Sequence, residues 1–584
     1  MKKFSLFSAF IAGMLMVSCS DSTMESNAGL GNSKTSDGYI ALDINLPTRS
    51  GGHTRAVSYA DGLGNEYEVK NAKLLLFRGE PNAAEATVTY RGTYNLIGMN
   101  WETNDNTQIT TSSIGVAKVN GIDTSKDYYA LVVLNENGQI PALTETSTLA
   151  TLNASALTNK NESNFTKAGF FMCNAPLANA NGGTKPTVTT LVKIDNNQIK
   201  STESEAKSTP AATVYVERAV GKVTLNTSTD LDANHNTNIT KYTIQSWALD
   251  NKNTKTYLVR NVAGNESASP AINGIAKWYN YTAKPSDYRF VDKNPVEAGA
   301  GYRIHWGVDP NYNATITPGE LKAATDADFK TVFGNDNPLY CLENTFDVER
   351  MQWGNTTRAI VKANLTVTGA ESDGSFYIID DANNTIYNKT SAASKIAKAA
   401  ESWFNTNSST YLSSGTITWS VTMDEPTNGG YVTNVTNVDI TESGVTYAGS
   451  YKKKDVEDAI KDEINNNILA GVNPMKVAYY KGGASYYQIR IKHFGDDETP
   501  WNVVTDGGYL GTGDAREAKW LGRYGVLRNT WYDLTVTGLK EIGYPEIPSG
   551  EADKWDDVAD KYLSVKINIL SWAKRTQDAV LGDK

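Results

Sequence analysis

Short runs of apolar residues that alternate with polar ones recur along most of this chain. "NAKLLLFRG", "DYYALVVLNEN", "TVTTLVKID", "TVYVERAVGKVTL", "KYTIQSWAL", "AIVKANLTV", "SFYIIDDANNTIY", "TITWSVTM", "YYQIRIKHF", "TWYDLTVTGL" and "YLSVKINIL" are rich in β-branched and aromatic residues. Asn, Gly, Thr and Asp punctuate them, the pattern of an all-β sandwich. One further run, "GYIALDINL", sets Ile40, Leu42, Ile44 and Leu46 against Tyr39, Ala41, Asp43 and Asn45. A period of two with one apolar face predicts a half-buried strand. A polar, glycine-containing stretch with two arginines, "PTRSGGHTRAV", follows at once. A good core strand is thus tied on by what reads as a protease target.

Helical spacing is confined to "TSAASKIAKAAESWF" and "KKDVEDAIKDEINNNILAG". In the second, Val456, Ile460, Ile464 and Leu469 share a face and Gly471 is the stop. Both are expected as insertions packed on the sheets. The most linker-like internal stretch is "NNQIKSTESEAKSTPAA", Asn196 to Ala212, polar and without periodicity, which puts a domain boundary near residue 208. No short-period repeat is present.

A hydrophobic content of 40%, with 31 tyrosines and 12 tryptophans, is that of a folded chain. A formal charge of -10 and no sustained basic stripe argue against a nucleic-acid partner. At the N-terminus, Lys2 and Lys3 precede an apolar run, Phe4 to Val17, shorter than the roughly 20 residues a membrane span needs. It reads as an export signal. It ends in "LMVSCS", similar to a bacterial lipobox, with Met16 where Leu is commoner. The expectation is a signal peptide over residues 1–18, a lipidated Cys19 and a polar tether after it. An ordinary signal peptide with an incidental cysteine is the alternative. The remaining thiols, Cys173 and Cys341, sit in apolar surroundings, and the sequence leaves open whether they pair.

Catalytic chemistry is hard to place. His53, His235, His305 and His493 have no neighbouring His or Cys at metal-ligand spacing, and none lies in a nucleophile motif. The acidic turn at Asp496, Asp497 and Glu498 reads as a solvated loop, since a glycosidase needs two carboxylates placed across a cleft. The reading is therefore not an enzyme, and no cofactor. One weak calcium candidate remains. In "DPNYNATITPGE", Asp309, Asn311, Asn313, Thr315, Thr317 and Glu320 fall at EF-hand-like positions, but Ala314 replaces the turn glycine.

Four segments together carry a resemblance: "VYVERAVGKVTL" (Val214 to Leu225), "HWGVDPNYN" (His305 to Asn313), "YCLENT" (Tyr340 to Thr345) and "YGVLRNTWYDLTVTGLKEIGYPEIP" (Tyr524 to Pro548). With the lipobox and the arginine linker, the chain resembles Bacteroidales fimbrillins, nearest to the shaft subunit of the minor, Mfa-type fimbria. The resemblance implies two tandem transthyretin-like Greek-key β-sandwich domains with a few inserted helices. It also implies a cell-surface polymer whose subunits travel as lipoproteins to the outer membrane. There an arginine-specific protease removes the N-terminal strand, and a neighbour's C-terminal segment fills the vacated groove. Anchor and tip fimbrial proteins are the further partners, and adhesion and biofilm formation the expected roles.

Physical chemistry supports this mechanism. Burying Ile40, Leu42, Ile44 and Leu46 is worth about 6–12 kcal/mol before entropy. An emptied groove would expose apolar floor and unpaired backbone, a template for another strand. Cleavage is expected after Arg55, before Ala56, with Arg49 and Ser50 as the alternative site and an uncut solvated loop as the opposing reading. At the C-terminus, Leu563, Val565, Ile567 and Ile569 repeat the alternation of the first strand, and Val580 and Leu581 are further anchors. The competing reading makes 562–572 an ordinary last core strand. The expected organisation is a propeptide over 19–55, an N-terminal domain over 56–207, and a C-terminal domain over 208–584 whose donor segment is about 561–584. A tip or accessory subunit, or a surface glycan-binding lipoprotein using Trp278, Tyr279 and Tyr281, is the alternative function.

Overall fold

The computed structural model of the chain describes residues 35–46, 62–99, 112–181, 187–262, 290–296, 299–312, 320–494, 499, 520–549, 556, 563–570 and 575–579. Within them the chain is predominantly β, as the recurrent alternating runs predict. The first sheet has the spatial order Thr89–Asn95, Ala72–Gly79, Asp127–Leu134, Met172–Asn174, Ala212–Arg218, Thr35–Asn45, Ser112–Asp123, with Val192–Lys193 pairing off the path. Its two ends come together, because Ile97 and Val116 exchange both backbone hydrogen bonds, at 2.9 and 3.0 Å. The sheet curls on itself around one core, which includes Leu74, Leu76, Val119, Tyr128, Val132, Val214 and Val216.

The second unit is a sandwich. One sheet runs Leu339–Leu342, Val220–Asn226, Trp531–Leu539, Leu563–Leu570, Arg575–Ala579. It shares a core with a three-stranded sheet, Ile239–Asp250, Arg358–Val367 and Ala484–Arg490, through Val223, Leu225, Leu534 and Val536 on one side and Trp247, Val361 and Ile489 on the other. The two units have a topological feature in common. Thr35–Asn45 lies parallel to Ala212–Arg218, and Val220–Asn226 lies parallel to Trp531–Leu539. Each unit thus sets an early strand beside a late one, which ties distant parts of the sequence into one ladder.

The two inserted helical stretches form where their spacing places them, at Lys389–Ala399 with Glu401–Tyr411, and at Lys453–Glu463 continued by a wider turn over Ile464–Ile468. Val456, Ile460 and Ile464 are fully buried and Leu469 nearly so. The helices cover one face of a long ribbon, Leu412–Met423 against Val435–Tyr447, and share with it a separate core that includes Phe404, Ile417, Val438 and Ile440. No helix among the described residues is long and apolar enough to cross a membrane.

The polar stretch expected as a linker has a different place. It contains a short turn at Asn196–Gln198 and a helix at Glu203–Ser208, and the strand that follows, Ala212–Arg218, still belongs to the first sheet. The chain crosses from the first sheet to the second at Ala219, not near 208. Polarity and lack of periodicity suit a surface covering as well as a linker, so sequence alone could not tell the two apart.

Candidate functional site

Thr35–Asn45 is an interior strand. On one side it runs parallel to Ala212–Arg218, from Leu42 opposite Ala212 to Asn45 opposite Tyr215. On the other it runs antiparallel to Ser112–Asp123, with Ile40 opposite Ala117, Leu42 opposite Gly115 and Ile44 opposite Ser113. Ile40, Leu42, Ile44 and Leu46 are all fully buried or within 1% of it. Opposite Leu42 lies Gly115, where a Cβ would come within 3.0 Å of Met99 Sδ.

The other face of the strand departs from a simple half-buried pattern. Ala41 is fully buried as well, packed with Val116 and Ala206. Ala206 lies on the Glu203–Ser208 helix, whose first turn is capped by the Thr202 hydroxyl accepting from Glu205 N. Hydrogen bonds from the Thr202 and Ser201 hydroxyls hold the Glu205 carboxyl below its usual range. The same stretch clamps the strand by its backbone. Tyr39 N donates to Lys200 O at 2.8 Å, Lys200 N to Tyr39 O at 3.0 Å, and Ala211 N to Ala41 O at 2.7 Å. Residues 196–211 therefore form a strap across the first strand.

A second feature is a buried polar seam where the two sheets meet. Arg260 donates to Glu217 in a two-pronged pair, Nε to Oε1 at 2.9 Å and Nη2 to Oε2 at 2.7 Å. Arg260 Nη2 also donates to the backbone oxygen of Arg528, which itself reaches Glu343 Oε2 at 3.2 Å. Lys222 and Glu66 pair at 2.8 Å with both side chains fully buried. The Tyr340 hydroxyl donates to Glu66 at 2.6 Å, and Lys222 Nζ lies 4.0 Å from the Trp531 ring centroid. Burial pushes the Glu217 carboxyl up against the pull of Arg260, and burial lowers Lys222. The quoted segments around Glu217, Arg218 and Lys222, around Glu343, and around Arg528 and Trp531 converge here, and the segment around Asp309 is joined to the "YCLENT" segment by Thr345. Sequence reading missed this interior. Its one signal was charge set inside otherwise apolar runs, as in "VYVERAVGKVTL".

Of the calcium candidates, Asp309, Asn311 and Glu320 lie within the described residues. Both Asp309 oxygens accept N–H groups, from Asn311 N at 2.6 Å, Thr345 N at 2.7 Å and Asn253 Nδ2 at 3.1 Å. Asn311 Nδ2 donates to Asn253 Oδ1, and Glu320 pairs with Lys255. The Asp309 carboxylate belongs to a buried polar network. Asn313 lies outside the described residues. Among the described residues no group of three His, Cys, Asp or Glu side chains could hold a metal. Cys173 and Cys341 are buried free thiols, not a disulfide. His493 bonds the Tyr532 hydroxyl and the His305 backbone oxygen, within the interior.

At the C-terminus, Leu563–Leu570 pairs antiparallel with Trp531–Leu539, and Arg575–Ala579 pairs antiparallel with it in turn. The segment expected to serve a neighbour is here the end of its own sheet, joined to the rest by one ladder. Cys19, Arg49, Ser50, His53, Arg55, Ala56, Trp278, Tyr279, Tyr281, Asp496, Asp497, Glu498, Val580 and Leu581 lie outside the described residues.

Residues 478–578 match the family described as "Major fimbrial subunit protein type IV, Fimbrillin, C-terminal". No curated protein matches. Among solved structures, the chain aligns with a fimbrilin (fimA) from Porphyromonas gingivalis W83 at 10% identity and a TM-score of 0.34, covering 93% of this chain and 99% of that one. It aligns with the tip fimbrial protein Mfa3 of Porphyromonas gingivalis, C-terminally truncated, at 10% identity and a TM-score of 0.28, over 92% and 100% of the two chains. A fimbrial assembly protein from Parabacteroides distasonis aligns at 10% identity and a TM-score of 0.23, over 57% and 99%.

Proposed function

We propose that this chain, which carries a fimbrillin C-terminal region over residues 478–578, is the shaft subunit of a cell-surface fimbria and polymerises by strand exchange. It reaches the outer membrane as a lipoprotein through Cys19. An arginine-specific protease cuts after Arg55, or after Arg49, and frees Thr35–Asn45. The C-terminal segment of a second copy takes its place. Anchor and tip subunits complete the fimbria, which supports adhesion and biofilm formation.

One observation carries this reading. The strand that precedes the arginine linker is an interior strand with four large apolar side chains in the core. Losing it strips about 6–12 kcal/mol of apolar burial from the first sheet. It also leaves two strand edges unpaired, one parallel and one antiparallel to any newcomer. Before the cut, the covalent link keeps the resident strand at a high effective concentration. After it, the groove is a template for exchange.

The test uses the chain without residues 1–19. Treatment with a trypsin-like protease gives a new terminus at Ala56 or Ser50 by N-terminal sequencing, and fibres by electron microscopy. Removing residues 563–584 abolishes fibres while circular dichroism still reports a β-rich fold. Resistance at both arginines, or equal assembly of the uncut chain, overturns the proposal in favour of an accessory subunit or a glycan-binding lipoprotein.

A further inference from the structure

The helix of the strap packs on the first strand and on its neighbour Ser112–Asp123. It sets Ala206 on Ala41 and Val116, and the backbone of the strap pairs with Tyr39 and Ala41. A strand that replaces the resident one therefore meets two surfaces. The core receives the side chains at the places of Ile40, Leu42, Ile44 and Leu46. The strap receives those at Tyr39 and Ala41, and Ala41 is fully buried against Ala206 and Val116.

The chain contains one segment that meets both demands. "SDGYIALDINL" (residues 36–46) and "ADKYLSVKINI" (residues 559–569) align without a gap, and Asp37, Tyr39, Ile44 and Asn45 recur as Asp560, Tyr562, Ile567 and Asn568. Leu563, Val565, Ile567 and Ile569 take the four core places, and Ser564 takes that of Ala41. We propose that the strap reads the outer face of the incoming strand and selects this segment of a second copy of the chain in this one register. The inference rests on the strand-exchange reading and specifies its partner and fit.

The alternatives fail on side chains. A slip of one residue turns Ser564, Lys566 and Asn568 into the core. A slip of two sets Lys566 or Tyr562 beneath Ala206. The terminal residues fare worse, because Ala579 beneath the strap puts Asp578 at the place of Ile40. Backbone pairing does not discriminate. In its own sheet Leu563–Leu570 has two ladders, with Trp531–Leu539 and Arg575–Ala579, and the slot also offers two. The ladders nearly cancel, so side-chain fit decides. The match has an upstream limit. Lys561 falls at Gly38, where a Cβ meets Ile199 Cγ2 at 2.8 Å, so that methyl shifts or the new ladder begins at Tyr562.

Two experiments test the register and the filter. In the slot, the residue at the place of Asp43 lies opposite Thr213, whereas in the chain's own sheet Lys566 lies opposite Thr535 and Asp578. The chain without residues 1–19, carrying Lys566→Cys and Thr213→Cys, is cut, assembled and oxidised. Disulfide-linked ladders form on a non-reducing gel, about tenfold stronger than with Lys566→Cys and Tyr215→Cys, and the uncut chain forms none. Fibres that link equally well or better through Tyr215→Cys overturn the register and leave strand exchange standing. Absence of fibres after cutting overturns strand exchange and this inference with it. For the filter, a synthetic peptide of residues 559–571 halts fibre growth, and its Ser564→Val form is about tenfold weaker because it overpacks the strap. On a cut chain carrying Ala206→Gly the two peptides come within about threefold. Equal potency of the two peptides on the parent chain overturns the filter.

Discussion

Lys222 and Glu66 face each other at 2.8 Å, fully buried, with the Tyr340 hydroxyl on the same carboxylate oxygen. Removing one partner strands the other charge in the interior. Lys222→Met is therefore expected to cost about 3–5 kcal/mol, read as a fall in the urea midpoint, and adding Glu66→Gln recovers much of it. The thiols permit a second test. Burial pushes both Cys173 and Cys341 up to about 12. Since the thiolate is the reactive form, neither is expected to react with a thiol reagent at pH 8 until urea unfolds the chain. Reaction of the native protein refutes their placement. None of these roles was legible residue by residue. A Glu in "VYVERAVGKVTL" reads the same from sequence whether it meets water or Arg260, since its partner is tens of residues away.

At the level of elements, local pattern did most of the work. Alternation in "GYIALDINL" predicted a buried face, and those side chains are buried. Helical spacing placed Val456, Ile460 and Ile464 on one face, which packs against the Leu412–Met423 and Val435–Tyr447 ribbon. Both are short-range periodicities, set by backbone geometry. The polar strap carries no such signal, and its covering of Ala41 became visible only with the fold. Leu42 has no room to be replaced by solvent, so Leu42→Ala is expected to cost the uncut chain about 2–5 kcal/mol by urea unfolding. Since it weakens the resident strand and leaves the proposed incoming segment unchanged, the same variant is expected to form fibres faster after cleavage if strands exchange as proposed.

For the whole molecule, the central prediction concerns an empty slot. A chain that starts at Ala56 and ends at residue 562 lacks both the resident strand and the segment proposed to replace it. It is expected to bind a synthetic peptide of residues 35–46. The linked stabilisation is about 2.7 kcal/mol when free peptide exceeds Kd a hundredfold, visible as a rise in Tm. No rise in Tm, with the chain still folded by circular dichroism, refutes the slot. Strand content, the helical faces and the matching alternation at the two ends of the chain follow from neighbours in sequence, because pleat and helix periods are local. The parallel pairing of Thr35–Asn45 with Ala212–Arg218, the crossing at Ala219, the seam and the strap join residues far apart along the chain. Such contacts arise only when the sheets close, since no local period encodes which distant edge a strand meets.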